Sequence, residues 1–178
     1  RADANGTTAA IIEHVYVDET CKVSANYTGT SPHGVGGFVG MGGGNVTIKN
    51  SAFLGSISDA TSKHGAFIGN LWGGNIDISN SFTNASVKFF KTFSGGGYTV
   101  VSNSYGTQAE AGVTALTTDK MMGSAAKTNM PALDWITSFE PDSDGGYPKI
   151  AFVSGYAGND GEVWSGLIAT KFSGGFGT

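Results

Sequence analysis

The residues of this chain that could do chemistry are few and scattered. Hydrolysis of a polysaccharide by the commonest route needs two carboxyl groups about 5–9.5 Å apart, one of them held as an acid. Between residues 45 and 105 the only carboxylates are Asp59 and Asp77, and the spacing puts one in a loop and the other in a strand. Elimination chemistry would need a base with a charge-stabilising cation, yet the only arginine is Arg1, at the first position. No catalytic residue is expected, and the chain reads as a non-enzyme.

Metal-binding residue types are equally thin. His33 and His64 both precede a glycine, and two imidazoles without a third ligand make a weak site, so both read as exposed loop histidines. His14, between apolar neighbours in "IIEHVYV", reads as pointing out of a strand. Asp142-Ser143-Asp144-Gly145-Gly146 has the opening of a Ca²⁺ loop, which Asp160 and Glu162 could complete if the tail folds back. No glutamate stands at the closing position of that motif, so an ordinary turn is the alternative to Ca²⁺ at Asp142 and Asp144. Cys21 is alone, which rules out a disulfide within the chain, and "VDETCKVS" alternates as a strand with a buried thiol.

Aromatic rings are the better candidates for binding. Trp72, Phe89, Phe90, Phe93 and Tyr98 cluster in sequence, and flat rings stack on the apolar faces of sugars. Trp72, Phe89, Phe90 and Tyr98 form the candidate carbohydrate platform. In "VKFFKTF" strand alternation sends Phe89 and Phe90 to opposite faces, so one of the two is expected outside. Packing within the core is the competing role. Asn5, Asn26, Asn45 and Asn84 fit the N-glycosylation pattern, as chance predicts in a chain rich in Asn, Ser and Thr.

The elements that hold these residues are written as a repeat. "GGFVGMGGGNVTIKNSAF" (36–53) returns as "GAFIGNLWGGNIDISNSF" (65–82), with Phe38 over Phe67 at a shift of 29 and Asn45 over Asn75 at a shift of 30. A shorter third copy, "GGGYTVVSNSY", places Val101 to Tyr105 on Ile78 to Phe82, and "IIEHVYVDETCKVSANYTG" is an earlier one. Each copy holds short apolar alternation bounded by Gly and Asn, a strand with a turn at either end, and no helical period intervenes. Units this small bury an apolar face only by stacking on one another. The expected fold class is all-β: a right-handed parallel β-helix, or β-solenoid, with glycines at its corners. Phe38 would stack on Phe67, and Ile48 on Ile78 and then Val101. Asn50, Asn80 and Asn103 would form a side-chain ladder at one corner, across a spacing of about 4.8 Å.

These two stretches resemble the GLUG-type repeats of bacterial surface proteins, in which a Gly-Gly-apolar-Val-Gly run precedes an apolar-x-Asn-Ser-aromatic strand. The similarity covers about residues 11–150. The resemblance implies a right-handed β-helix on secreted or wall-anchored proteins, adhesins among them, with no catalytic residue in the repeats. Here "KFFKTFSGGGY" departs from the pattern in the third copy, and no N-terminal capping sequence is visible, which predicts a raw coil end near residue 10.

Residues 1–115 thus read as solenoid repeats and 116–150 as a helical cap with a Tyr147-Pro148 closing segment. Thr118 is the expected N-cap of a helix over 117–127, with Leu133, Trp135 and Ile136 closing the open end of the solenoid. Residues 151–178, with Gly158-Asn159-Asp160-Gly161 as a turn, read as a hairpin tail leading to another module or adding a strand to a neighbour.

Composition fits. The 178 residues include 29 Gly and only 13% charged residues, against about 7% and about 25% in ordinary domains. A formal charge of −4 gives no basic footprint for nucleic acid, and no segment reaches the roughly 18–20 apolar residues of a membrane span. The expected role is a non-catalytic structural or adhesive module, extracellular at a bacterial cell surface or in a filament. Its expected partners are other copies of itself, neighbouring modules or glycans, with no cofactor unless Ca²⁺ binds. The alternatives are a carbohydrate-binding module and a non-catalytic fragment of a large surface peptidase or polysaccharide-active enzyme.

Overall fold

Successive copies of the repeat lie on one another as parallel strands. The computed structural model describes residues 9–25, 34–59, 64–93 and 98–151. The first copy contributes β1 (Ala10–Glu13), β2 (Tyr16–Val17), β3 (Lys22–Ala25), β4 (Val35–Gly36) and β5 (Val39–Gly42). The second contributes β6 (Val46–Lys49), β7 (Ala52–Phe53), β8 (Ser56–Asp59), β9 (His64–Gly65) and β10 (Ile68–Leu71). Then come β11 (Ile76–Ser79), β12 (Phe82–Thr83), β13 (Phe90–Phe93), β14 (Thr99–Ser102), β15 (Ser104–Gly106) and β16 (Val113–Ala115).

The sheets run β1-β6-β11-β14, β5-β10-β13 and β2-β7-β12-β15-β16, with two-stranded β3-β8 and β4-β9 at other corners, and every pair among these is parallel. Register is strict: Ile12, Ile48, Ile78 and Val101 stand in one row. Alternation along β6 and β11 turns Val46, Ile48, Ile76 and Ile78 into the core and leaves Thr47 and Asp77 on the other face. Phe38 and Phe67 have ring centroids 5.1 Å apart, and Phe67 meets Phe89 edge to face at 4.4 Å, so one aromatic column fills the interior through three copies.

The corner after β6, β11 and β14 works differently from the expected asparagine ladder. Asn50, Asn80 and Asn103 all have left-handed backbones, with φ of 48°, 48° and 50°. The hydrogen bonds between copies are made instead by the serine that follows each asparagine. Ser51 Oγ accepts from the Val15 amide, Ser81 Oγ from Ser51 and Ser104 Oγ from Ser81, at 3.1, 3.2 and 3.3 Å. Each hydroxyl donates to the carbonyl two residues back, at Lys49, Ser79 and Ser102. Asn50 Oδ1 is buried without a partner, and its Nδ2 reaches Glu13. An asparagine ladder does exist at the other end of the same strands: Asn45 Oδ1 accepts from the Asn75 amide and Asn75 Oδ1 from the Tyr98 amide.

The last copy is covered by residues 106–113. Thr107 donates its hydroxyl to the Ala85 carbonyl, Glu110 accepts from the Phe89 amide at 2.6 Å, and Gly112, at φ +80°, lies against the Val101 carbonyl where a Cβ has no room.

Beyond it, the sequence-predicted single helix is two pieces, a 3-10 turn at Thr118–Met121 and α1 (Ala125–Asn129), broken at Gly123 with φ +62°. Thr117, not Thr118, is the N-cap. The segment ends in an antiparallel pair, β17 (Phe139–Glu140) with β18 (Lys149–Ile150). It does not close an end of the stack. Met121, Ala126, Met130, Leu133, Phe139 and Tyr147 form a second core with Ala52, Leu54, Phe82 and Tyr105, along the flank of the five-stranded sheet. The reason is that strands such as β7 have two apolar faces: Phe53 enters the first core and Ala52 the second. Leu133 is buried there and Trp135 half-buried, whereas Ile136 is 92% exposed. The tail from residue 152, with its expected hairpin, lies outside the described residues.

Candidate functional surfaces

Of the expected sugar platform, Phe89 is core: it is 1% exposed and sits under Phe67. Phe90, the first residue of β13, is half-buried against the same cluster. It stands beside Ile68 of β10 in the parallel pair. Phe93 lies outside the residues whose side chains are described.

Trp72 and Tyr98 remain at the surface, 45% and 61% exposed. They flank the corner Gly73-Gly74-Asn75, Trp72 directly after β10 and Tyr98 directly before β14. The Trp72 ring is seated on the copy before it: a Cβ built on Gly43 would stand 2.6 Å from Nε1, 2.9 Å from Cε2 and 3.3 Å from Cζ2. Its own amide donates to the Gly42 carbonyl at 3.0 Å. Gly74, at φ +80°, turns the chain away without placing a side chain beside either ring.

Asp142 accepts from the Asp144 amide at 3.0 Å and pairs with Lys149 Nζ at 3.2 Å. The Asp144 amide, with help from Lys149, holds its carboxyl below the usual range. The turn is thus held by a lysine where a Ca²⁺ ion would compete, and among the described residues no group of three His, Cys, Asp or Glu side chains is placed to hold a metal. Asp160, Glu162 and His33 lie outside the described residues, as do Asn5 and Asn26. Asn45 is engaged in its ladder, and Asn84 lines a depression of about 350 Å³ with Glu19, Leu54–Ile57 and Ala85–Val87. Cys21 is half-buried, its carbonyl accepting from Ser56.

One constellation went unseen in the sequence. His14 does not project from a strand: it takes the left-handed corner position of the first copy, φ 55°, and its Nε2 lies 3.0 Å from Ser138 Oγ. Ser138 Oγ donates to Asp134 Oδ2 at 2.9 Å. The hydroxyl of Thr137, then the amides of Thr137 and Ile136 and the Ser138 hydroxyl, bring the Asp134 carboxyl down to about 2. A serine, a histidine and an aspartate in contact invite a nucleophilic reading, but the order is wrong. The serine bridges the other two, donates its hydrogen bond to the carboxylate and is 0% exposed, so it can reach no substrate. What the constellation does is tie the flank segment to the first copy. No signal could have revealed it, since His14 and Ser138 are 124 residues apart.

Comparison with protein-family models, with curated proteins and with solved structures found no match to this chain.

Proposed function

We propose that the chain is a non-catalytic structural and adhesive module: a right-handed parallel β-helix of GLUG-like repeats, displayed outside the cell on a bacterial surface protein. The observation that carries this reading is the in-register parallel pairing of successive copies around a continuous core. Such a unit offers a rigid body with backbone bonds along its axis and few openings for a protease. The reading of a non-enzyme draws on the placement of the polar groups: Asp134, Asp142 and Glu110 are all engaged by amides, hydroxyls or a lysine.

Four copies at about 4.8 Å give a height of only about 20 Å, so a rod needs neighbours along the axis. The loop over the last copy argues against unlimited addition there, which favours a module in a stalk over the subunit of a filament. Electron microscopy of the full chain at neutral pH tests this. Single compact particles, or pairs, are the expected result; long filaments would reverse the preference and make the stack ends assembly surfaces.

A further inference from the structure

We propose that the Trp72–Tyr98 corner binds the flat face of a pyranose ring in a neutral glycan. This rests on the adhesive half of the reading above and names its ligand class. A tryptophan serving only the core would be covered, and Trp72 is 45% exposed. It is nevertheless not a loose side chain. One edge of the indole is laid against the backbone at Gly43, and a methyl group there would stand 2.6 Å from Nε1, so the ring would have to shift from this seat. A ring held in place loses little freedom when a ligand stacks on it, which removes one of the costs of binding with surface side chains.

The surroundings fit a sugar in three further ways. Tyr98, 61% exposed, is a second surface ring on the following copy, its amide donating to Asn75 Oδ1 directly after the Gly73-Gly74 corner. Asn45 and Asn75 have their Oδ1 atoms fixed by backbone amides, which orients each side-chain amide and keeps Nδ2 as a donor for a hydroxyl. The stretch Leu71-Trp72-Gly73-Gly74-Asn75-Ile76 carries no charge, which suits a neutral glycan over an acidic one.

The test is titration of the full chain with cellohexaose and with chitohexaose, followed by calorimetry, for the native protein and three variants. Native protein should bind at least one of the two. Trp72→Ala should weaken that binding by about tenfold or more while leaving the circular dichroism spectrum unchanged. Gly43→Ala, which keeps the indole but pushes it off its seat, should weaken binding comparably, and Tyr98→Ala should do so to a smaller extent. Native protein that binds neither sugar overturns the proposal, as does undiminished binding by Trp72→Ala. Neither result would alter the particle shapes seen by microscopy, so the structural reading fails or stands separately.

Discussion

At the scale of single residues, the repeated Asn-Ser pair divides one task between two side chains. The asparagine accepts a left-handed backbone that costs most L-residues about 1–2 kcal/mol, and the serine satisfies the amide that the turn exposes. Asn80→Ala should therefore lower stability by about 1–2 kcal/mol, and Asn80→Gly should be close to neutral in urea denaturation. Ser81→Ala strands the buried Ser51 amide and should cost about 1–3 kcal/mol. Two carboxylates give opposite responses to pH. Asp134 has its carboxyl depressed to about 2, so its contribution is complete above the ordinary carboxylate range and is lost as pH falls through that range toward about 2. Burial raises the carboxyl of Glu110 against the opposing pull of the Phe89 amide, so folding gains as pH falls through its raised value and loses as pH rises. Glu110→Gln keeps an acceptor for that amide and should remove the loss, leaving the variant at least as stable as the native protein at pH 7. Urea curves from pH 3 to pH 7 separate the two. The asparagines were legible as special in the sequence; their partition of labour with the serines was not, because a side-chain ladder and a left-handed turn leave the same Asn-rich imprint.

At the scale of elements, the copies and their register could be read directly, because Phe38 and Phe67, or Ile48 and Ile78, recur at nearly constant spacing. Phe67 is the centre of the aromatic column, touching Phe38 on one side and Phe89 on the other, and Phe67→Ala should cost about 3–5 kcal/mol. The region after residue 115 was less legible. Propensity alone favours one continuous helix across Gly123, in which Gly123→Ala would stabilise by about 1 kcal/mol. The structure reverses the sign: at φ +62° an alanine is strained, and the variant should lose about 1–2 kcal/mol in denaturation. Propensity fails here because the two short helical pieces are shaped by the sheet flank they cover, and that flank is assembled from residues 52, 82 and 105, far away in sequence.

At the scale of the whole molecule, the flank segment binds copies that would otherwise touch only their neighbours. His14 of the first copy meets Ser138, Phe82 meets Phe139 at 5.5 Å, and the Tyr105 hydroxyl accepts from the Ala132 amide at 2.9 Å. A simple stack should unravel copy by copy from its ends; this one should unfold as a unit. Phe139→Ala is expected to lower the single unfolding midpoint, with hydrogen-exchange protection falling together in β2, β7, β12 and β15. Loss confined to β17 and β18 would show that the flank is a passenger. The sequence held the apolar residues of this segment in plain view, but a row of side chains such as Leu133, Trp135 and Phe139 does not say whether it lies across the end of a stack or along its side.

The same arrangement makes the flank segment a ruler. Its anchor at His14 and its anchor at Tyr105 lie on different layers of the stack, and the chain between Ala132 and Ser138 bridges them with a turn at Asp134. Arrays of this kind ordinarily grow and shrink by duplication or loss of a single unit, at little cost to the remainder. Here a duplicated copy would move the two anchors about 4.8 Å further apart, so a descendant with an extra layer would have to open the turn at Asp134, lengthen residues 132–138 or give up one of the two attachments.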